Sequence, residues 1–226
     1  MARGTLDDVR IYLVRHGQST ANAAGAVSSA APGPDLTDLG REQAEALAAS
    51  LGDERIDAVY ASTLVRAQQT AAPLAARLGL EVVVRDDLHE IEAGDLEDRT
   101  DEEALRGYVQ PLVAWAGGDL TASAPGAPDG HAFFARFDAA IADVVALHDD
   151  DSAVVVVGHG AATRVWLGGR ALNVDPAFTT STEMENTGVI EVTGSPVAGW
   201  TVVSWQGAPV GVAAPNDPTG EALGEG

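Results

Sequence analysis

The feature of this sequence that most constrains its fold is a run of four consecutive valines, Val154–Val157, followed by Gly158-His159-Gly160. A strand that is apolar on both faces must be covered on both faces, as is typical of a parallel sheet between two layers of helices. A second apolar segment, Arg10–Val14, also ends in a His-Gly pair, within Arg15-His16-Gly17. The sequence therefore predicts an α/β fold in which two strands each place a histidine at their carboxyl end.

The rest of the chain alternates between strand and helix patterns. Apolar spacing predicts helices over residues 37–51, 63–78, 102–115 and 131–148. Short apolar runs predict strands at 56–62 and 81–84, and an antiparallel pair at 189–192 and 200–205. This alternation predicts a three-layer α/β/α sandwich around a mostly parallel central sheet.

Composition along the chain suggests one domain over residues 1–207. Within it, a segment at about 90–130 is first acidic and then rich in Gly, Ala and Pro, and we expect it to leave the layered core. Residues 208–226 are rich in Gly, Pro, Ala and acids, which predicts a poorly ordered tail.

The charge of the chain excludes several classes of partner. The formal net charge is −21, and all 13 basic side chains are arginine. Such a surface repels nucleic acids and anionic membranes, so neither is expected as a partner. There is no cysteine, which excludes disulfides and thiolate chemistry. The first eight residues lack the apolar core of a signal peptide, which predicts a cytoplasmic protein.

Chemically reactive residues follow four separate predicted strands. His16 follows the first, Ser62 and Arg66 end or follow the second, Glu90 follows the third, and His159 follows the valine strand. In open α/β sheets, ligands bind beyond the carboxyl ends of the strands. We therefore expect these side chains to meet at one edge of the sheet.

Four longer patterns are present in the chain, and the first of them contains the His-Gly pair at residues 16–17. They are R-H-G-Q-S-x-x-N at 15–22, L-T-x-x-G-x-x-Q-A at 36–44, Y-A-S-x-x-x-R-A-x-x-T-A at 60–71 and L-x-E at 88–90. In this order they resemble the histidine phosphatase superfamily, also known as the phosphoglycerate mutase-like family. The resemblance extends from about Arg10 to Trp205 and is to the phosphatase branch.

The resemblance implies a histidine acid phosphatase-like phosphoric monoester hydrolase that acts on a small phosphorylated metabolite without a cofactor. His16 would be the nucleophile and form a phosphohistidine. Arg15, Arg66 and His159 would bind the phosphoryl oxygens, with Asn22 as a neutral donor. Glu90, which follows Leu-x as in the family, would be the proton donor. Glu92 and Glu97 are competing candidates for that role.

Two departures from the family pattern fall in or beside the 90–130 segment and leave specificity open. Asp95-Leu96-Glu97-Asp98 stands where the family often has Trp-Glu-Gly, and Gly130-His131-Ala132 where it often has Gly-Glu-Ser. His131 is expected to be a surface residue at a helix start. His89 and His148 have no expected role.

Two alternative functions stay open from the sequence. A phosphoglycerate mutase would transfer the phosphoryl group rather than hydrolyse it, and a non-catalytic protein would only bind a phosphoester on the same fold. A metal centre is disfavoured, because the sequence has no H-x-x-x-H or H-E-x-x-H pair and arginines at the site would repel a cation. A homodimer is possible.

Overall fold

The valine strand lies inside the central sheet of the computed structural model, which describes residues 9–149 and 151–211. Strand β4 (Ala153–Gly158) is buried at every residue. It pairs in parallel with β1 (Val9–Arg15) on one side and β2 (Ala58–Ser62) on the other. Because a strand with two neighbours and two covered faces meets no water, unbroken valines suit this position.

The sheet has seven strands in the order β3-β2-β4-β1-β5-β6-β7. Strand β3 (Val82–Arg85) is parallel to β2, so the first four strands along the chain run in the same direction. Strands β5 (Val189–Ser195), β6 (Gly199–Trp205) and β7 (Ala208–Pro209) continue the sheet with antiparallel pairings. The predicted antiparallel pair near the end of the chain is confirmed.

Alternation along β1 divides its side chains between two cores. Ile11 and Leu13 belong to one buried cluster, and Tyr12 and Val14 to another. The second cluster includes side chains of the helices Asp38–Leu51 and Val65–Leu78, whereas the first includes three phenylalanines of the helix Gly130–Ala146. The predicted three-layer arrangement follows, because successive residues of a strand point to opposite faces.

The helices observed have these bounds: α1 Thr20–Ala24, α2 Asp38–Leu51, α3 Val65–Leu78, α4 Glu102–Ala116, α5 Gly130–Ala146, α6 Gly160–Arg170 and α7 Pro176–Ser181. The four predicted helices correspond to α2, α3, α4 and α5. Helices α1, α6 and α7 were not predicted. Two of these are short, and α6 carries three glycines, which lower helix propensity.

The 90–130 segment contains α4 and packs on the first of the two cores. Trp115 of α4 stacks on Phe133 of α5, with ring centroids 5.7 Å apart. The segment therefore has its own helix and a buried attachment to the layered core. It forms one wall of the cavity described below, through Leu105 and Tyr108.

The sequence predicts disorder from residue 208 onward. That prediction is wrong for Ala208 and Pro209, which form β7 and pair with β6. Residues 1–8, 150 and 212–226 lie outside the described part of the chain, so the rest of that prediction does too. Among the described residues, no helix combines the length and apolar character needed to cross a membrane.

Candidate active site

A cavity of about 370 Å³ opens at the carboxyl edge of the parallel strands. Five of the predicted site residues line it: Arg15, His16, Asn22, Arg66 and Glu90. The sixth, His159, is buried beside His16, with ring centroids 5.3 Å apart. The residues expected to meet at one edge of the sheet therefore do so.

His16 is held with one ring nitrogen unprotonated. Its Nδ1 lies 2.7 Å from the carbonyl oxygen of Gly17, and its Nε2 accepts a hydrogen bond of 3.0 Å from Nε of Arg66. Because arginine can only donate, Nε2 carries the lone pair and Nδ1 the proton. Burial, followed by the charge of Arg66, lowers the pKa of His16 to about 3. The imidazole is therefore neutral at physiological pH.

The chain behind His16 is packed against the start of α2. A Cβ atom on Gly17 would lie 2.6 Å from the carbonyl oxygen of Gly40, and one on Gly40 would lie 2.1 Å from that of Gln18. The amide of Gly17 also donates to the hydroxyl of Thr70, 2.9 Å away. This close approach is the physical reason for Gly17 in the pattern at 15–22 and for Gly40 in the pattern at 36–44. The hydrogen bond is the reason for Thr70 in the pattern at 60–71.

We expect Gly40→Ala to destabilise the protein by about 1–3 kcal/mol, because the new methyl group collides with backbone rather than with a side chain that can turn away. Urea unfolding of the variant and the parent protein measures the difference. Gly211→Ala is the matched control, since a Cβ there meets nothing within 4 Å. Equal unfolding midpoints for the Gly40 variant and the parent would contradict the expected clash.

Arg66 connects the two histidines. Its Nη2 donates to the carbonyl oxygen of Ser28 at 2.9 Å and approaches Nδ1 of His159 at 3.4 Å. Its Nη1 is buried and has no hydrogen-bond partner among the described residues. Burial is the main cause of the lowered pKa of Arg66. The guanidinium thus contacts His16 through Nε and His159 through Nη2.

His159 is fixed by a contact on each ring nitrogen. Since the Nη2 of Arg66 can only donate, Nδ1 of His159 accepts, and Nε2–H donates to the hydroxyl of Ser62 at 2.7 Å. Burial, with the neighbouring His16 and Arg66, lowers its pKa well below the usual value. Ser62 therefore orients His159, and His159 adds no positive charge of its own before an anion arrives.

Glu90 is anchored at the first turn of α6. Its carboxylate accepts backbone hydrogen bonds from Ala162 at 2.8 Å, Ile91 at 2.9 Å and Ala161 at 3.2 Å. Unpaired N–H groups at a helix N-terminus are a natural partner for a carboxylate. Arg136 of α5 donates to the carbonyl oxygen of Glu90 and to two others just before it. The carboxylate is thus fixed in the cavity wall.

The two competing glutamates are engaged elsewhere, and neither lines the cavity. Glu92 lies 3.2 Å from Nε2 of His89. Glu97 accepts hydrogen bonds of 2.6–3.0 Å from the amide and hydroxyl of Ser29 and the amide of Ala30. Because Ser28 accepts from Arg66, Glu97 helps to position that arginine through the 28–30 loop. His131 is exposed at the start of α5.

A segment missed by sequence reasoning holds the other side of the site. Nη1 of Arg15 donates to the carbonyl oxygen of Met184 at 2.6 Å, and the side-chain amide of Asn186 donates to the carbonyl oxygen of His16 at 2.9 Å. Asn22, which caps α1 through the amide of Ser19, lies 3.4 Å from the same amide group. The available signal was the antiparallel pairing of β5, whose start must lie beside the end of β1.

Sequence reasoning also missed several residues of the cavity wall. These are Leu105 and Tyr108 of α4, Arg164 of α6, and Glu183, Met184 and Glu185. No group of three or more His, Asp or Glu side chains in the described part of the chain could hold a metal ion. The arrangement is therefore a donor-lined anion site with one neutral imidazole and one carboxylate.

Comparison with known proteins gives a consistent family. The family model of the histidine phosphatase superfamily (branch 1) matches residues 11–207. The PE-PGRS family protein PE_PGRS11 of Mycobacterium tuberculosis is 38% identical over 93% of this chain, which covers 38% of that protein. Putative phosphoserine phosphatase 2 of Hydrogenobacter thermophilus is 30% identical over 67% of this chain and 73% of its own length.

A solved structure of a mycobacterial glucosyl-3-phosphoglycerate phosphatase is similar in fold. It is 25% identical, has a TM-score of 0.72, and the match covers 88% of this chain and 99% of that one. The family match spans both His-Gly pairs and all six predicted site residues. The chain therefore belongs to the histidine phosphatase superfamily, branch 1.

Proposed function

We propose that this protein hydrolyses small phosphomonoesters through a phosphohistidine formed on His16. The observation that carries the proposal is the neutral imidazole of His16, whose unprotonated Nε2 lies at a cavity lined by Arg15 and Arg66. An unprotonated ring nitrogen is the nucleophile such a reaction needs, and arginines can bind phosphoryl oxygens in a bidentate manner. Names of relatives add support, since they include phosphoserine and glucosyl-3-phosphoglycerate phosphatases.

In the binding step, a phosphoryl group would replace His16 as the acceptor of the hydrogen bond from Nε of Arg66. The guanidinium groups of Arg66 and Arg15 and the side-chain amide of Asn22 would donate to its oxygens. His159 would assist after taking a proton on Nδ1, which the negative charge of the phosphoryl group favours. Positioning and charge stabilisation supply most of the catalysis in phosphoryl transfer.

In the chemical step, Nε2 of His16 would form a bond to phosphorus while the bond from phosphorus to the ester oxygen breaks. Glu90, having first taken up a proton from solvent, would give that proton to the leaving oxygen, so that an alcohol departs. The carboxylate of Glu90 would then take a proton from water as the water oxygen attacks phosphorus. The bond from phosphorus to Nε2 of His16 breaks with its electron pair returning to the nitrogen, inorganic phosphate leaves, and both His16 and Glu90 return to their initial protonation states.

The proposed reaction requires no metal. Arginines at the phosphoryl site repel cations, and they supply the charge stabilisation that a metal would otherwise give. The acid phosphatase-like subtype, the cytoplasmic location and the homodimer stay predictions from the sequence. Phosphate release from p-nitrophenyl phosphate in the presence of EDTA tests the metal-independent hydrolysis. Transfer between phosphoglycerates without release of inorganic phosphate would support the mutase alternative instead.

We expect Glu90→Gln to slow hydrolysis of an alkyl phosphomonoester by about 100-fold, because an alkoxide leaves poorly without a proton donor. With p-nitrophenyl phosphate the first step needs little protonation, so stopped-flow measurement should show a burst of p-nitrophenol followed by slow turnover. Glu92→Gln, outside the cavity, is the matched control. Unchanged alkyl phosphate hydrolysis in the Glu90 variant would assign the proton donor to another group.

A further inference from the structure

The arginines of this acidic chain are mostly paired with carboxylates. Among residues 9–149 and 151–211, those with no carboxylate oxygen within 4.0 Å are Arg15, Arg66, Arg136 and Arg164. Arg136 donates to three backbone carbonyls beside Glu90, and the first two form the phosphoryl site. Arg164 also lines the cavity, but it alone of these four contacts neither the histidines nor the chain at Glu90 and has no role in the phosphoryl site.

Arg164 is held only weakly by its own chain. Its single hydrogen bond in the described structure reaches the carbonyl oxygen of Thr182 at 3.4 Å, near the limit of a hydrogen bond. The residue is half-buried, so part of its side chain remains accessible to a ligand in the cavity. A cation kept without a carboxylate partner in a chain of net charge −21 is available to bind an anion.

The position of Arg164 relates it directly to the phosphoryl site. Gly160 and Ala161, in the first turn of α6, line the cavity, and Arg164 lines it one turn further along the same helix. Residues three and four apart share a helix face, and one turn advances about 5.4 Å. The charge of Arg164 also contributes to lowering the pKa of Arg15, which indicates that the two guanidinium groups are near each other.

We propose that Arg164 binds a second anionic group, carried by the leaving alcohol of the phosphomonoester. This inference rests on the proposed function, because it assumes that the first phosphoryl group lies at His16. A guanidinium can bind a carboxylate or a phosphate with two parallel hydrogen bonds, so both share the required chemistry. Substrates would then be phosphomonoesters with an acidic group a few bonds from the ester oxygen.

The remaining cavity wall restricts where that acidic group can lie. Glu183 and Glu185 also line the cavity, with exposed side chains that repel an anion. Leu105 and Met184 offer apolar contact to a carbon skeleton. Arg164 is therefore the favourable place for a second negative charge, while an amino group on the same substrate would be attracted to the two glutamates.

A matched pair of substrates tests the proposal. 3-Phosphoglycerate and glycerol 3-phosphate differ only by a carboxylate in place of a hydroxymethyl group. We expect Arg164→Gln to lower kcat/KM for 3-phosphoglycerate by about 10- to 100-fold, mainly through KM, since a hydrogen bond between charged partners is lost. Hydrolysis of glycerol 3-phosphate and p-nitrophenyl phosphate should change less than about twofold. Arg164→Lys should restore part of the loss.

A second pair distinguishes the two anions: fructose 1,6-bisphosphate against fructose 6-phosphate. A selective loss for 3-phosphoglycerate assigns Arg164 to carboxylates, and a selective loss for the bisphosphate assigns it to phosphates. Equal losses for charged and uncharged leaving groups, or no loss at all, would overturn the proposal. Arg41→Gln, on the exposed surface of α2, is the matched control for the removal of one positive charge.

Binding measurements separate failure of this inference from failure of the proposed function. In the His16→Ala background, calorimetry with 3-phosphoglycerate needs no turnover. Weaker binding after Arg164→Gln in that background, with glycerol 3-phosphate binding unchanged, would support the subsite even if the parent protein hydrolysed nothing. Binding that is indifferent to Arg164 would overturn the subsite even if the parent protein were an active phosphatase.

Discussion

His16→Ala should lower phosphatase kcat by on the order of 10⁴-fold or more, as expected when a covalent nucleophile is removed. The side chain supplies the atom that binds phosphorus, and no other unprotonated histidine nitrogen lines the described cavity. Initial rates with p-nitrophenyl phosphate measure the loss. Quenching in alkali with denaturant during turnover should trap a phosphorylated parent protein and no phosphorylated variant, because the P–N bond of phosphohistidine survives base and is cleaved by acid.

His131→Ala is the matched control for the His16 variant, because His131 is exposed at the start of α5, outside the cavity. Its activity should equal that of the parent protein. Added imidazole should restore part of the activity of the His16 variant, since it can enter the space left by the side chain. A His16 variant that retains the parent rate would refute the phosphohistidine mechanism.

Arg66→Ala should lower kcat/KM by about 10³-fold, because a buried guanidinium is lost where charge develops on the phosphoryl oxygens. The same substitution should change the pH profile. Arg66 is the second cause of the low pKa of His16, so its removal raises that pKa from about 3 toward the ordinary value. His16 would then become protonated, and activity lost, at a higher pH than in the parent protein.

Arg66→Lys separates charge from geometry. It keeps a cation, and therefore most of the effect on the pKa of His16, but it loses the Nε–H that donates to His16 and the Nη2 that donates to Ser28. The pH below which the Arg66→Lys variant loses activity should stay near that of the parent protein, while its kcat/KM still falls. A loss below tenfold for Arg66→Ala, with an unfolding temperature like that of the parent, would contradict the assigned role.

The strands and helices that depend on the local spacing of apolar residues could be predicted from the sequence. The valine run predicted β4 correctly, because unbroken apolar residues are tolerated only where both faces are covered. Helices with clear apolar spacing, such as α3 and α5, were predicted near their observed bounds. Helix α6 was missed, because its first residues are glycine and alanine and its first-turn donors are satisfied by Glu90, which is distant in sequence.

In the candidate site too, the sequence predicts some positions from local patterns, whereas others depend on contacts between distant residues. His16 and His159 could be placed together because parallel strands end at a common edge of a sheet. From the sequence Glu97 competes with Glu90, since nothing local shows that its carboxylate binds the loop at Ser29, 68 residues away in sequence. Arg164 could not be singled out from the sequence. What distinguishes it is that no carboxylate lies beside it in the described part of the folded chain.

The sequence by itself determined the layered sheet and the gathering of two histidines, two arginines and a glutamate at one edge, because strand burial and chain direction are written in local patterns of side chains. Only the tertiary structure decided which nitrogen of His16 is unprotonated, which carboxylate faces the cavity and which of the described arginines lack a carboxylate partner. These features depend on contacts such as that of Arg15 with Met184, 169 residues apart. Such contacts are fixed by packing, which no local pattern encodes.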